Sequence, residues 1–249
     1  MDREDFDRAV YENWAQRFDC TVEDLYRAGT VLIPDQQFAG SGGVHVWQIG
    51  KRAFARMDPQ VLDEIEHARR HLPRIAVLNE EHLRAALGGD RIRQTEQSVL
   101  LYLYPPDFQP HDPPVSIEVR RLEMGDARAL VEMKAACTPD EVDMGEVSVE
   151  DEIGFGCFDG HTLASVATGF WLTGFMDIGV LTHPAYRGKG LGKAVVSALC
   201  TWCIERAIIA QYRCLVTNIG SYNIARALHF DRYCTQESIY LNQDRSTIG

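Results

Sequence analysis

The sequence lacks several features that would place a protein in a specialised class. Its 249 residues contain no apolar run of the roughly 18 residues that a membrane-spanning helix needs. The acidic N-terminal segment does not resemble a basic, apolar signal sequence. Seven cysteines are too few in a chain of this length for a disulfide scaffold, so reduced thiols are expected. We therefore expect a cytoplasmic protein with no membrane partner.

Basic residues are also scarce. The chain has 25 Lys and Arg against 36 Asp and Glu, for a formal net charge of −11. Because nucleic-acid binders need a basic surface to neutralise phosphates, this composition predicts no nucleic-acid partner. With 45% hydrophobic and 24% charged residues, the chain can form a buried core, which excludes disordered and coiled-coil classes.

Proline is concentrated in one place. Half of the ten prolines lie between Pro105 and Pro114. Proline has no amide hydrogen and disfavours helical backbone in the residue before it. We therefore predict a proline-rich linker over 105–115 between an N-terminal domain, 1–104, and a C-terminal domain, 116–249.

Apolar periodicity and turn residues predict the elements of both domains. The N-terminal domain mixes helices and strands, which predicts a smaller α+β domain. The C-terminal domain is predicted to run strand, helix, acidic loop or short helix, two strands, then strand, helix, strand, helix, strand. That order indicates an α+β fold with a mixed sheet covered by helices. The N-terminal elements predicted are helices at 3–18, 59–70 and 80–87 and strands at 44–49 and 98–104.

The most informative stretch joins a predicted strand, Phe175–Thr182, to a long predicted helix. It reads His183-Pro-Ala-Tyr-Arg-Gly-Lys-Gly-Leu-Gly-Lys193. Glycines at every second position let successive backbone amides turn toward one point, and the following helix adds the positive end of its dipole. Apolar residues recur at helical spacing from Leu191 to Trp202, which predicts a buried helix face. The segment therefore predicts an anion-binding loop.

Glycine spacing argues against two common nucleotide-binding loops. A Walker loop has four residues between its first glycine and its Gly-Lys-Ser/Thr, whereas three residues separate Gly188 from Gly192, and Ala194 stands where a hydroxyl would hold magnesium. The dinucleotide fingerprint has two residues between its last glycines, but Gly190 and Gly192 are separated by one. A glycine-rich turn without a ligand is the alternative.

Two signatures resemble those of a known family. Residues 187–192 match R/Q-x-x-G-x-G/A, the signature of the GNAT superfamily of acyl-CoA-dependent N-acyltransferases. A second signature, Asn followed after twelve residues by Phe, is met by Asn218 and Phe230. Residues 116–242 therefore resemble a GNAT acyltransferase, which implies a GNAT-like fold in the C-terminal half.

The resemblance implies acetyl-CoA as co-substrate. Backbone amides of 187–193 would hold its diphosphate, and β-strand backbone at 180–182 would pair with its pantetheine arm. Asn218 and Ser221 would face the other side of that arm, with helix capping as their alternative role. The implied coenzyme-binding residues are Val180, Leu181, Thr182, Arg187, Gly188, Lys189, Gly190, Leu191, Gly192, Lys193, Asn218 and Ser221.

The sequence departs from the family at two positions. The family often has Gly before the final Phe and, five residues ahead of that Phe, a Tyr that protonates the leaving thiolate. This chain has His229 and Ala225 there. Another group or water would then protonate the thiolate, or the chain binds the coenzyme without fast turnover.

Acyl transfer to an amine also needs a base, because a primary amine is mostly protonated at neutral pH. Asp177 is the first catalytic candidate, since burial in an apolar strand would raise its pKa. A structural Asp is the alternative, and sheet alternation alone does not reveal which face meets the acceptor. His183 is the second catalytic candidate, with packing on Pro184 as its alternative role.

These observations predict an N-acetyltransferase that transfers the acetyl group of acetyl-CoA to a primary amine by direct attack in a ternary complex. The partner would be an amine-bearing small molecule or peptide, and the acidic run 140–152 either recruits it or forms a solvated surface. A non-catalytic acyl-CoA-binding or sensor module is the alternative. The N-terminal domain would shape the acceptor site or be a degenerate copy of the same fold.

No metal is expected. Cys200 and Cys203 form a C-x-x-C within a predicted helix, and no second pair completes a zinc site; we expect both to be buried. The oligomeric state is left open, a homodimer included.

Overall fold

The computed structural model describes residues 1–242. Its helices are α1 (Arg3–Arg17), α2 (Val22–Leu25), α3 (Leu62–Arg70), α4 (Glu80–Leu87), α5 (Ala127–Ala135), α6 (Pro139–Gly145), α7 (Leu191–Ile204) and α8 (Ile219–Ala227). Its strands are β1 (Gly29–Pro34), β2 (Gly43–Ile49), β3 (Arg52–Met57), β4 (Ile92–Leu103), β5 (Glu118–Arg121), β6 (Ile153–Asp159), β7 (Thr162–Leu172), β8 (Phe175–Thr182), β9 (Ala210–Leu215) and β10 (Phe230–Leu241).

The chain divides into two compact units. Their bounds differ from the domains predicted from the sequence because most of β10 pairs with β2, with Cys234 opposite Ile49. The proline-rich segment falls inside the second unit, and residues 243–249 lie outside the described part of the chain. Within the described residues, unit 1 comprises Met1–Leu100, Leu215–Thr217 and 232–242, and unit 2 comprises Leu101–Cys214 and Asn218–Asp231.

Unit 1 is a sheet with helices packed on it. Its strand order is β1-β3-β2-β10-β4, in which β1 is parallel to β3 and β2 is antiparallel to both neighbours. Helix α1 begins at an Asp2 side chain that accepts the Asp5 amide at 2.9 Å, an N-cap that stabilises its first turn. Phe6, Val10 and Trp14 on one face of α1 are buried, as the helical spacing of apolar residues predicts.

Unit 2 contains a mixed sheet covered by helices. Strands β5 to β8 form an antiparallel meander, and β9 lies parallel to β8 on its other side. Helix α7 packs on β6, β7 and β8, and α6 packs on β8. From β5 to β10 the elements follow the predicted order, and the predicted mixed α+β fold is confirmed.

Strands β8 and β9 pair over a short distance and then separate. Three residues of β8, Met176 to Ile178, pair with Ala210 to Tyr212, although β8 continues to Thr182 and β9 to Leu215. Beyond Ile178, the edge of β8 that faces β9 has no strand partner in residues 1–242. Unpaired strand backbone needs other hydrogen-bond partners, so this separation is a suitable place for an extended ligand.

Helix α7 is the main buried helix of unit 2. Its buried residues include Leu191, Val195 and Leu199, but the buried surface is wider than a single stripe, and Trp202 at its outer edge is half-buried. Cys200 and Cys203 are buried free thiols, as expected. The helix therefore fixes the position of the glycine loop at its start.

Sequence patterns missed helix α2 and strands β1 and β3 of unit 1. Strand β3 is buried on both faces at Ala53, Phe54 and Ala55, so it lacks the apolar–polar alternation from which a strand is predicted.

None of the helices described here has the length and hydrophobicity that a membrane-spanning helix requires.

Candidate functional site

A cavity of about 570 Å³ occupies the gap between β8 and β9. The separated strands form its sides, α7 begins at one end, and α6 and α8 complete the wall. Eleven of the twelve predicted coenzyme-binding residues line it; the exception is Lys189. The lining residues are Glu141, Met144, Gly145, Ile178, Val180, Leu181, Thr182, Tyr186, Arg187, Gly188, Gly190, Leu191, Gly192, Lys193, Arg213, Asn218, Gly220, Ser221, Asn223 and Ile224.

The start of α7 presents unoccupied backbone amides to this cavity. Gly190 is the N-cap residue, with a φ of +79°, a conformation that favours glycine. No side chain of the described residues caps the helix, and the first helical hydrogen bond is from the Ala194 amide to the Gly190 carbonyl. The amides of Leu191, Gly192 and Lys193 therefore remain available, together with the positive end of the helix dipole.

Close packing around the loop explains why two of its positions are glycine. A methyl group on Gly192 would lie 2.9 Å from Ile224 Cδ1 and 3.2 Å from Thr182 Oγ1, so a larger residue there would push α7 away from α8. A methyl on Gly190 would lie 3.0 Å from His111 Nε2. Glycine at both positions thus lets the backbone approach its neighbours closely.

Three cations lie on or beside the loop, in different environments. Arg187 forms an ion pair of 2.8 Å with Glu141, and this hydrogen-bonded pair raises the pKa of Arg187 and lowers that of Glu141. Lys193 lines the cavity, whereas Lys189 places its Nζ over the Tyr186 ring at 4.7 Å. Arg187 and Lys193 are therefore the two loop cations whose residues line the cavity.

The wall formed by α8 combines capping with exposure to the cavity. The Asn218 side chain accepts the Ser221 amide at 3.0 Å, which caps α8. The Ser221 hydroxyl is hydrogen-bonded to the Tyr212 hydroxyl at 2.8 Å, and burial raises the pKa of Tyr212. Asn218 therefore both caps α8 and lines the cavity, whereas Ser221 lines the cavity and donates the amide that Asn218 caps.

Asp177 lies behind the cavity wall and does not line the cavity. The residue is 2% exposed, and Oδ1 has no hydrogen-bond partner of good geometry within residues 1–242. Burial raises the pKa of Asp177, and the nearby Gln211 amide and Arg213 guanidinium partly oppose that increase. The result is a carboxyl group with a raised pKa directly beneath the site.

Arg213 connects this carboxyl group to the cavity. It lines the cavity, lies 3.6 Å from Asp177 Oδ2 and donates to Glu146 at 2.9 Å. On the buried side, the Tyr102 hydroxyl donates to Gln211 Oε1 at 2.6 Å, and Gln211 is the strand neighbour of Asp177. A polar network thus runs from the cavity surface into the centre of unit 2.

His183 has a local role in the turn before α7. Its Nδ1 accepts the Ala185 amide at 3.2 Å, so neutral His183 carries its proton on Nε2 and has no free acceptor nitrogen. The ring also contacts Tyr186, with centroids 5.6 Å apart. His183 does not line the cavity.

The two departures from the family signature have clear structural settings. Ala225 is fully buried in α8 and has no ionisable group. His229 has a φ of +64°, which explains why glycine is common at this position in the family the chain resembles. Phe230 is buried, and its ring centroid lies 5.6 Å from that of Tyr212.

Sequence reasoning did not single out several cavity residues. Glu141 belongs to the predicted acidic run, but its pairing with Arg187 could not be read from spacing. Arg213 gave no sequence signal, because it reaches the cavity only where β9 leaves β8. Over residues 1–242, no cluster of three or more His, Cys, Asp or Glu side chains is arranged to hold a metal ion.

Comparisons with known proteins agree with this architecture. Residues 149–236 match the family model for GNAT acetyltransferases. A GNAT-family acetyltransferase from Colwellia psychrerythraea is 13% identical, covers 80% of this chain and 81% of its own, and has a TM-score of 0.51. A GCN5-related N-acetyltransferase from Kribbella flavida is 15% identical, with coverages of 67% and 65% and a TM-score of 0.49.

At 13% identity, the structural similarity to the Colwellia protein supports the fold alone. None of the curated proteins matches this sequence significantly. The match of residues 149–236 to the GNAT acetyltransferase family and the architecture of β5 to β10 together show a GNAT-like fold in the C-terminal half of the chain.

Proposed function

We propose that this protein is an N-acetyltransferase that transfers the acetyl group of acetyl-CoA to a primary amine, by direct attack in a ternary complex. The observation that carries the proposal is the cavity between β8 and β9, which ends at the uncapped start of α7. It offers an unpaired strand edge and an anion-binding end in one continuous space. Acetyl-CoA, a thioester on a long polar arm that carries a diphosphate, needs both the strand edge and the anion-binding end.

The diphosphate would lie at the start of α7. Amides there and the helix dipole contribute about 0.5–2 kcal/mol, and each charge-assisted hydrogen bond adds about 1.5–3 kcal/mol. Lys193 adds positive charge beside these amides. Arg187 would contribute less while it remains paired with Glu141.

The pantetheine arm would lie along the free edge of β8. Its amide groups would hydrogen-bond to backbone at 180–182, in the manner of an added strand. Asn218 and Ser221 line the opposite wall. An amide of β8 near Val180 would also polarise the thioester carbonyl, a contribution of about 3–4 kcal/mol when such a donor is preorganised.

Deprotonation of the amine is the next requirement. With a pKa near 10.4, forming the neutral amine at pH 7 costs about 4–5 kcal/mol. We propose Asp177 as the group that receives the proton, through a water molecule, because its pKa is raised and its Oδ1 has no partner of good geometry in the described chain. Glu141 lines the cavity, but its lowered pKa makes it a weaker base.

His183 is the second candidate base. It is a weaker candidate than Asp177, because its Nδ1 already accepts the Ala185 amide.

An Asp177→Asn variant should lower kcat at neutral pH, and raising the pH should partly restore it as more amine becomes neutral. An unchanged pH–rate profile would remove Asp177 from the mechanism.

One observation favours a second function, a non-catalytic acyl-CoA-binding or sensor module. Buried Ala225 occupies the position of the family's proton-donating Tyr, so the leaving thiolate has no acid at that place. Thiol release from acetyl-CoA, followed with a panel of amines, separates the two functions. Amine-dependent release supports the transferase, binding without release for every amine supports the sensor, and absence of acetyl-CoA binding overturns both.

A further inference from the structure

The proline-rich segment is attached to α7. The His111 amide donates a 2.9 Å hydrogen bond to the Ser197 hydroxyl, and Ser197 is 4% exposed. A backbone donor that reaches a buried hydroxyl group fixes the position of its segment, because both groups would lose a partner if it moved away. The segment thus lies along the helix whose first residues line the cavity.

This attachment brings the His111 side chain to the glycine loop. Its Nε2 is 3.0 Å from the position of a methyl group on Gly190. The ring is half-buried, and Lys193 is close enough to affect its charge. His111 itself does not line the cavity, but its neighbours Gly190 and Lys193 do, so the imidazole lies beside the proposed diphosphate site.

We propose that His111 is a further coenzyme-binding residue, whose imidazolium donates a hydrogen bond to the diphosphate of the acyl-CoA held at the start of α7. The inference rests on the proposed function, because it requires acyl-CoA as the ligand. His111 lies outside the segment that matches the GNAT family model, so this contact would be an addition made by the proline-rich segment of this chain.

The charges around His111 make the contact sensitive to pH. Burial and Lys193 on α7 lower its pKa, and Asp112 on its own segment partly opposes them. Without ligand, these surroundings therefore favour the neutral ring over the imidazolium. A bound diphosphate would add negative charge nearby and favour the imidazolium. Binding would then take up a proton, so affinity should increase as pH falls through the histidine range.

Dephospho-CoA is the probe that isolates this effect. It keeps the diphosphate and lacks the 3′-phosphate, a phosphate monoester whose second pKa of about 6 would add its own pH dependence. Calorimetric dissociation constants would be measured at pH 6 and pH 8 for the wild type, His111→Gln and His161→Gln. His161 is an exposed histidine in the turn after β6 and, unlike His111, is not among the residues nearest to Gly190, so it serves as the matched control.

We expect the wild type and His161→Gln to bind dephospho-CoA several-fold more tightly at pH 6 than at pH 8. His111→Gln should bind about tenfold more weakly than the wild type at pH 6, because a charge-assisted hydrogen bond is lost, and should lose the pH preference. Thermal melting would verify that each variant is folded at both pH values.

Three outcomes would contradict the expectation, in distinguishable ways. Equal affinity of His111→Gln and the wild type at both pH values overturns the inference. Equal weakening at both pH values also overturns it, because the ring would then act by packing alone. If the wild type binds neither dephospho-CoA nor coenzyme A, the proposed function itself fails.

Discussion

Gly190 is the position where a single methyl group tests the proposed coenzyme site. Its φ of +79° costs an L-residue about 1–2 kcal/mol. The new methyl would also lie 3.0 Å from His111 Nε2, which is closer than ordinary van der Waals contact. Gly190→Ala should therefore lower the free energy of unfolding and displace the loop whose amides face the cavity.

The effect on binding follows from those amides. Losing one charge-assisted hydrogen bond to the diphosphate costs about 1.5–3 kcal/mol, which corresponds to a dissociation constant about tenfold to a hundredfold weaker. Calorimetry with coenzyme A measures this directly. Thermal melting should show a decrease of about 2–8 °C from the backbone strain.

Gly160 provides the matched control. It also has positive φ, at +59°, but a methyl group there meets nothing within 4 Å, and Gly160 does not line the cavity. Gly160→Ala should cost similar stability and leave coenzyme A affinity unchanged. If Gly190→Ala binds coenzyme A as tightly as Gly160→Ala, the reasoning that places the diphosphate on this loop is refuted.

Three further predictions concern residues in the walls of the site or directly behind them. Burial raises the pKa of Asp177 above the ordinary value of 3.8, so ionisation increasingly destabilises the fold as pH rises above that value. Asp177→Asn should therefore raise the melting temperature at pH 7 and have little effect at pH 3.5. A loss of stability at both pH values would contradict this. Ser221→Ala leaves the buried Tyr212 hydroxyl without its Ser221 partner and should lower the free energy of unfolding in urea by about 1–3 kcal/mol, whereas Tyr212→Phe should lower it by about 0.5–1.5 kcal/mol. Equal losses for the two variants would contradict this reasoning. Glu141→Gln frees Arg187 from its ion pair and removes a negative charge from the cavity wall. Coenzyme A should then bind about two- to fivefold more tightly at low salt, with a smaller gain at 0.5 M salt. A salt-independent change would show that the effect is not electrostatic.

Local features of unit 2 were predictable from the sequence. The glycine loop, the buried face of α7 and the element order from β5 to β10 all depend on backbone preferences and periodicity over short stretches. The same reasoning found α1 and missed β1 and β3, because strand pairing between distant segments decides whether a short apolar run becomes a strand.

The sequence did not predict which charged side chains form ion pairs. Glu141 and Arg187 are far apart in the chain and become partners only when α6 packs on β8. Asp177 was correctly expected to be buried, since it interrupts an apolar strand. Its position behind the cavity wall, with Arg213 in between, depends on which face of β8 meets α6, and alternation alone leaves that choice open.

The sequence by itself determined which residues can turn a backbone, begin a helix or interrupt a strand, because those properties belong to each residue and its near neighbours. Tertiary structure decided where β8 and β9 part, which side chains line the space between them, and that the proline-rich segment carries His111 to Gly190. Those outcomes depend on contacts between residues distant in the chain, and such contacts form only when the whole unit packs.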